Sequence, residues 1–459
     1  MLQNCLPLSK AGLDTLPPVI DLFSGCGGLS FGFQSAGFDI AAGLDLSEAA
    51  VHTSAYNLSW RNGKNGNHIC GDITTIGADV FSKILDGRDC IVIGGPPCQA
   101  YSQIGKGKLK SLGLGRSHLN DERGKLYLDF LRTAFELDAK AIVMENVPEA
   151  IYYGNTNIAE TVCEILEISG YNAKWTVLNS ADYGVPQTRE RLFVMAIKKS
   201  EKAEPSFPEP THRPPEGQAG IYKQRLHRLS AFSHFEQPPD YRGELKPWVT
   251  VGEALSDLPT LFPTSKSSYR LYDLNILLKY KTPPQNDYQK LMREWGGYMS
   301  EYVSGHGFRK TVRDFPIFER MKHDDNYPAA VIIAEEMLEE ICSQKGIPLD
   351  PCSSEYQKLR KKIVPPYDPE KFHDKWKKLN PDKPSHTLVA HLGVDTYSHI
   401  HPWEPRGISV REAARLQSFP DSFLFQCSMG DAFTQIGNAV PPLLARAIAV
   451  KLADILSGR

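Results

Sequence analysis

The sequence predicts an α/β fold: a doubly wound, mostly parallel sheet, followed by a second, smaller domain of irregular texture. Three observations predict it. From residue 18 to about 198, short β-rich apolar runs alternate with longer helix-compatible segments, the rhythm of strands joined by crossover helices. Several of those runs end in Asp, Glu or Gly, and open α/β sheets bind ligands just beyond the carboxyl ends of their strands. After Lys199 the rhythm stops at the proline punctuation Pro205-Ser-Phe-Pro-Glu-Pro210 and His212-Arg-Pro-Pro215, which places a boundary near residue 199.

The strands are expected at Pro18–Phe23, Phe38–Asp45, His68–Asp72, Asp89–Gly94, Ala139–Glu145, Trp175–Leu178 and Leu192–Ile197. Residues 200–385 mix aromatics, prolines and basic clusters, with one amphipathic helix pattern over Val331–Ile341 and no assignable fold. A helix is expected over Ser409–Phe419, and Pro441–Ala453 reads as a closing helix with proline in its first turn.

Composition excludes several classes. The 459 residues are 41% hydrophobic and 23% charged, the range of an ordinary globular protein that folds. The longest apolar stretches, such as Ala330–Ala334, fall far short of the roughly 18 residues a membrane span needs. The N-terminus carries no secretory pattern, so an intracellular place is expected. Nine cysteines (5, 26, 70, 90, 98, 163, 342, 352 and 427) include no C-x-x-C pair, against both a disulfide framework and a zinc site; no metal is expected. A net charge of −2 hides local segregation. Between Tyr356 and Lys378 eight cations face only Asp368, Glu370 and Asp374, either a solvated charged face or a phosphate-contacting surface.

The chemistry-bearing motifs sit at the expected strand ends. Asp21-Leu-Phe-Ser-Gly-Cys-Gly-Gly-Leu29 is a strand running into a glycine-rich turn and then a helix, which lets a ligand approach backbone amides. It is not a dinucleotide fingerprint, because Ser30 stands where the third glycine belongs. Asp45 closes the next strand about 20 residues after Gly25, the distance at which an acid reaches a ribose hydroxyl. Asp72 follows the third strand and is placed to accept from an adenine amino group. Gly94-Gly-Pro-Pro-Cys98 fixes the backbone before a thiol at a strand's end, which suits a nucleophile better than a core cysteine. Glu145-Asn-Val-Pro148 puts a carboxylate on the neighbouring strand end, and Gln187-Thr-Arg-Glu-Arg191 projects Arg189 and Arg191 to one face. By themselves these read equally as a cap residue and a surface ion-pair cluster.

Six pieces in one order resemble the DNA (cytosine-5)-methyltransferase family. They are Asp-Leu-Phe-Ser-Gly-Cys-Gly-Gly, Gly-Gly-Pro-Pro-Cys-Gln, Glu-Asn-Val, Gln-Thr-Arg-Glu-Arg, Arg411-Glu-Ala-Ala-Arg-Leu-Gln-Ser-Phe-Pro-Asp421 and Gln435-Ile-Gly-Asn-Ala-Val-Pro441. The resemblance runs from residue 18 to 450 and implies a Rossmann-like S-adenosylmethionine-dependent methyltransferase of prokaryotic modification type. It implies a catalytic, cofactor-binding domain over 1–198, a target-recognition domain over 199–432, and 433–459 returning to the first. Cofactor contacts fall to Phe23, Ser24, Gly25, Cys26, Gly27, Gly28, Leu29, Asp45, Leu46, Asp72, Ile73, Pro96, Asn438 and Ala439. The catalytic set is Cys98, Glu145, Arg189 and Arg191.

The same resemblance implies double-stranded DNA as partner, a flipped-out cytosine, a covalent Cys98–C6 intermediate and 5-methylcytosine as product. Residues 103–118, with four glycines and four cations, read as a lid closing over DNA or as a polar loop. A restriction-modification setting with a cognate endonuclease on the same site, a monomer and a cytoplasmic, nucleoid-associated place complete the expectation. Three rivals are weaker. A tRNA methyltransferase of this type continues Pro-Pro-Cys with Phe-Thr, where Gln99-Ala100 stands here; a silent homologue has no need of the catalytic set, and a nicotinamide enzyme has no use for Gly-Gly-Pro-Pro-Cys.

Overall fold

A computed structural model describes residues 16–63, 66–97, 126–152, 157–261, 273–297, 299–309, 311, 313–371, 373, 375–392 and 397–458. The chain forms two compact units. One comprises the residues up to Trp248 with Gln417–Phe419 and Ala439–Arg459, and the other Val249–Leu416 with Pro420–Asn438.

The first unit is built on a seven-stranded sheet. In chain order its elements are β1 (Val19–Leu22), α1 (Gly28–Ser35), β2 (Ile40–Asp45), α2 (Glu48–Leu58), β3 (Asn67–Cys70), α3 (Ala78–Leu85), β4 (Ile91–Gly94), α4 (Leu126–Glu136), β5 (Ala141–Asn146), α5 (Ile158–Ile168), β6 (Tyr171–Asn179), the two-residue β7 (Gln187–Thr188) and β8 (Glu190–Lys198). The sheet order is β3-β2-β1-β4-β5-β8-β6. β1 to β5 are parallel and β8 runs antiparallel between β5 and β6, so the mostly parallel, doubly wound expectation holds. All seven expected strands are present.

Alternation along the strands explains why both faces are covered. Val92, Ile142, Met144, Val194 and Ala196 enter one core with Phe130 and Leu131 of α4 and Val162 and Leu166 of α5. Their neighbours Ile91, Ile93, Ala141, Val143, Phe193, Met195 and Ile197 enter the other, with Phe33 and the helix Pro442–Leu456. A period of two with both faces apolar is what a sheet buried on both sides requires. The closing helix lies so near α1 that a Cβ on Gly32 would stand 2.3 Å from the Ala445 Cβ, so glycine is required by the approach of the two helices.

Residues 199–248 pack with this unit, although the change of texture lies near 199. Trp175 N–H donates to the His234 carbonyl and Glu236 N–H to the Trp175 carbonyl, both at 2.9 Å, which pairs the free edge of β6. The Glu160 carboxylate accepts from Trp175 Nε1, His234 Nδ1 and Ser233 N at 2.8–2.9 Å. Asp182 Oδ1 likewise accepts from Tyr241 Oη (3.0 Å) and Trp248 Nε1 (2.9 Å).

The second unit is mainly helical and irregular, with an aromatic core of Phe315, Phe318, Tyr327, Trp376 and Tyr397. Its long helix, Tyr327–Lys345, contains the expected 331–341 pattern, and Val410–Leu416 forms within the expected 409–419. The basic run is engaged in part by this fold, while Lys358, Lys361 and Lys362 stay exposed. Arg360 pairs with Glu335 of the long helix, Lys371 lies 3.4 Å from Asp368, and the Lys375 ammonium sits 3.8 Å over the Tyr367 ring. Lys378 is buried, donating to the carbonyls of Phe318 and Met321 at 2.8 Å each.

The motif Arg411–Asp421 makes a buried ion-pair hub. Arg406 grips Glu412 with two bonds of 2.8 and 2.7 Å, and Arg415 reaches Asp257 (2.6 Å) and Asp421 (2.8 and 2.6 Å). Arg411 donates to the carbonyls of Ser304, Pro420 and Phe423 at 2.9–3.0 Å. Among the described residues no helix is long and apolar enough to cross a membrane.

Candidate active site

The sheet order reverses between β1 and β4, and ligand crevices of open α/β sheets form beyond the strand ends at such a switch. Beyond β1 the chain turns through Phe23, a non-glycine residue held at φ +64°, and Gly25 at φ +53°. Gly25 N–H donates to Asp45 Oδ2 and Ser47 N–H to Asp45 Oδ1, both at 2.8 Å, so the Asp45 carboxylate ties the first turn to the end of β2. The glycines of the motif serve different ends. Space stands open where a Cβ on Gly25 would project, whereas one on Gly28 would lie 2.5 Å from the Val440 carbonyl. Gly28 is therefore a packing residue and Gly25 an open cradle.

Two polar atoms are left over at this turn. Among the described residues, Asp21 Oδ1 and Ser24 Oγ are buried without a hydrogen-bond partner. Asp21 Oδ2 accepts from Ser30 Oγ at 2.5 Å. Burial pushes the Asp21 carboxyl up to about 7 against the Ser30 hydrogen bond, and the Asp45 charge adds to the rise. Sequence reasoning passed over Asp21 because its carboxylate read only as part of a strand. Cys26, Gly27, Gly28 and Leu29 are buried, while Leu46, just after Asp45, is 73% exposed. Asp72 is exposed, and its Oδ1 accepts from Thr74 N (2.9 Å) and Thr74 Oγ1 (2.8 Å) above a buried Ile73. Ala439 borders the turn, its Cβ 3.2 Å from the position a Gly28 Cβ would take. Asn438 is the exposed last residue of the helix Met429–Asn438 in the second unit.

Next along the sheet, three motifs converge. A Cβ on Gly94 would fall 1.9 Å from the Leu22 carbonyl, an approach only glycine permits, and one on Gly95 would lie 2.9 Å from Glu145 Oε2, so Gly95 leaves room for that carboxylate. Asn146 Nδ2 donates to the Pro96 carbonyl at 3.2 Å, holding the segment that leads to Cys98 against the end of β5. Asn146 was read only as part of its motif; its partner lies in another motif, which spacing does not reveal. Cys98 itself, and the 103–118 segment, lie outside the described residues.

Glu145 is buried at the end of β5, where Arg191 Nε meets its Oε1 at 2.8 Å with both side chains about one-tenth exposed. Arg189 is fully buried two residues earlier, its carbonyl accepting from Ser180 N and Ser180 Oγ at 2.8 Å each. The three charges act on one another. Burial raises the Glu145 carboxyl above the ordinary carboxylate range, with Arg191 and then Arg189 pulling it back. The arginines are thus buried beside Glu145 and not a surface ion-pair cluster, and the site is a carboxyl raised by burial and flanked by two guanidinium groups.

The comparisons with known proteins agree on what this assembly belongs to. The family model for the C-5 cytosine-specific DNA methylase matches residues 18–454. A protein named as a type II methyltransferase from Oceanobacillus iheyensis is 54% identical over 450 residues, covering 96% of each chain. The type II methyltransferase M.AgeI of Thalassovita gelatinovora is 30% identical over 468 residues, covering 95% of this chain and 99% of its own. A solved structure of a prophage-encoded DNA modification methyltransferase from E. coli superimposes with a TM-score of 0.63 at 24% identity, over 96% of this chain and 100% of that one, a likeness of fold. The chain belongs to the C-5 cytosine-specific DNA methylase family and is a DNA cytosine-5-methyltransferase, an enzyme class that takes its methyl group from S-adenosylmethionine. The turn fits that cofactor: an open cradle at Gly25, two unpartnered buried polar atoms and an exposed apolar Leu46 lie at adjacent strand ends. Among the described residues no cluster of His, Cys, Asp and Glu is arranged to hold a metal ion.

Proposed function

We propose that the chain methylates C5 of a flipped-out cytosine in a specific duplex DNA sequence through a covalent bond from Cys98 to C6, as the modification partner of a type II restriction system. The observation that carries the reading is the buried Glu145–Arg191 pair packed over Gly95, at the root of the segment that ends in Cys98. Phe23–Leu29, Asp45, Leu46, Asp72, Ile73, Pro96, Ala439 and Asn438 hold S-adenosylmethionine, which when bound supplies an electrophilic methyl group.

The residues of the chain do the rest. Cytosine C5 is a poor nucleophile, and addition of the Cys98 thiolate to C6 moves an electron pair toward C5. Negative charge then gathers along N3 and O2. Glu145, whose carboxyl burial raises, donates at N3, and Arg189 donates at O2 while Arg191 holds Glu145 in place. Once C5 carries the methyl group it loses its proton, the C6–S bond breaks, and the thiolate and the aromatic ring are restored together. The stacked duplex hides C5 and C6, so the base must leave the helix, with 103–118 as the closing segment. The second unit serves as target-recognition domain, and its partner is double-stranded DNA; a cognate endonuclease on the same site, a monomeric state and a cytoplasmic, nucleoid-associated place accompany this reading.

Incubation with tritiated S-adenosylmethionine and either duplex DNA or tRNA tests it. Label is expected in duplex DNA with the wild type and none with Cys98→Ala. Label in tRNA alone, or undiminished transfer by Cys98→Ala, overturns the reading.

A further inference from the structure

Three consecutive residues, Gln417–Phe419, leave the second unit and belong to the first. All three are buried, and each touches a different part of the proposed site's frame. Gln187 Nε2 donates to Gln417 Oε1 at 2.5 Å, and Gln417 Nε2 donates to the Ala439 carbonyl at 2.6 Å. Ser418, held at φ +65°, accepts from Leu443 N–H at 3.2 Å through its hydroxyl. Phe419 Cζ lies 3.2 Å from where a Cβ on Gly28 would stand.

One amide therefore joins two places far apart in sequence. On one side is β7, where the Gln187 carbonyl accepts from Arg189 N–H at 3.0 Å and the chain continues to Arg191 and Glu145. On the other are Ala439 and Val440, pressed against Gly28 at the start of α1, directly after the cradle at Gly25. A buried amide that lost either bond would carry an unsatisfied polar group, so the two sides are constrained to one arrangement.

We propose that Gln417 is a positioning residue that couples the cofactor turn to the arginine-bearing strand, so that occupation of the cofactor site tightens the grip on the target base. The inference rests on the cytosine-methyltransferase reading above. A filled cradle fixes Gly28 and Ala439; Ala439 fixes the Gln417 amide; Gln417 fixes Gln187 and with it the backbone that aims Arg189. By linkage, bound DNA tightens the cofactor by the same factor.

The test measures duplex affinity with and without saturating S-adenosylhomocysteine for the wild type, Gln417→Met and Gln187→Met, each checked for folding by circular dichroism. Both substitutions keep the length of the side chain and remove the relay. The wild type is expected to bind duplex about tenfold more tightly with the cofactor product present, within the range usual for coupled sites. Both variants are expected to lose most of that factor while keeping affinity for S-adenosylhomocysteine alone within about threefold, a pattern that general destabilisation does not produce. If Gln417→Met fails to fold, Gln187→Met carries the test. No coupling in the wild type, or full coupling in a folded variant, overturns the proposal even when methyl transfer to duplex DNA is normal; absence of that transfer instead removes the function reading on which it rests.

Discussion

Glu145 in the first unit and Glu412 in the second are both buried glutamates paired with arginine, and they lean in opposite directions. Glu412 accepts two bonds from Arg406 and a third from Ser409 N–H at 2.7 Å. The charge of Arg406 leads the forces that overcome burial and hold its carboxyl down at about 2. Glu145 receives the Arg191 Nε at 2.8 Å, and there burial wins and raises the carboxyl. Saturated hydrogen bonding makes one glutamate a fixed anion of the fold; sparse bonding lets burial raise the other. The difference teaches how to tell a structural ion pair from a working one: by the count of donors at each oxygen, not by the presence of the pair.

Substitutions at the two places should fail differently. Glu145→Gln is expected to lower the methyl-transfer rate about 10²–10⁴-fold, because an amide keeps the volume but cannot deliver a proton. Unfolding by urea should change little for that variant, and a large loss of stability would erase the contrast. Arg415→Met is expected to reverse the pattern. It strands Asp257 and Asp421 beside an apolar chain, a loss of about 3–5 kcal/mol in stability by urea unfolding, with Arg293 at Asp257 and Tyr280 at Asp421 softening it.

Acid sharpens the same comparison. His306 and His401 are buried neutral in the second unit, burial lowering them to about 4 and about 3, and burial lowers His399 as well. A lowered histidine favours the neutral state on folding, so its contribution is full above the unfolded value of about 6.5 and is lost as pH falls toward the folded value. Glu412 adds a second loss below about 4.5, as pH falls toward 2. The thermal midpoint of the wild type should fall relative to that of His306→Gln between pH 7 and pH 4.5, before Glu412 titrates, since the raised Asp21 carboxyl acts equally on both; an unchanged difference would contradict the assignment. The smallest effect is expected at the cofactor turn. Ser30→Ala leaves a second Asp21 oxygen without its donor, at about 1–3 kcal/mol in stability, together with weaker binding of S-adenosylhomocysteine in calorimetry.

Much of this was legible in the sequence, and the parts that were not share a cause. Every strand of the sheet followed from apolar runs closed by turn residues, and Asp45, Glu145, Arg189 and Arg191 stand at the strand ends where those runs put them. Partners distant in sequence were hidden. Within the run at 356–378 the engagement of Arg360 and Lys378 was hidden because Glu335 and the Phe318 carbonyl lie in other segments. Arg411 and Arg415 served as marks of family likeness, yet in the fold they are buried ties to Ser304 and Asp257. The prolines after Lys199 end the βα rhythm, but the chain goes on packing against β6 and Asp182 as far as Trp248, since a change of local pattern does not fix where side chains are buried. Asp72, read as an adenine partner, also holds its own turn through Thr74, a bond that strand periodicity does not announce.

The covalent step tests the account most directly. Duplex DNA with 5-fluorocytosine at the methylated position, incubated with enzyme and S-adenosylmethionine, blocks loss of the C5 substituent and should trap the enzyme on the base. A denaturation-resistant adduct mapping to Cys98 by peptide mass, and absent from Cys98→Ala, is the predicted result. No adduct under conditions of good turnover on ordinary cytosine, or an adduct on another residue, would contradict it.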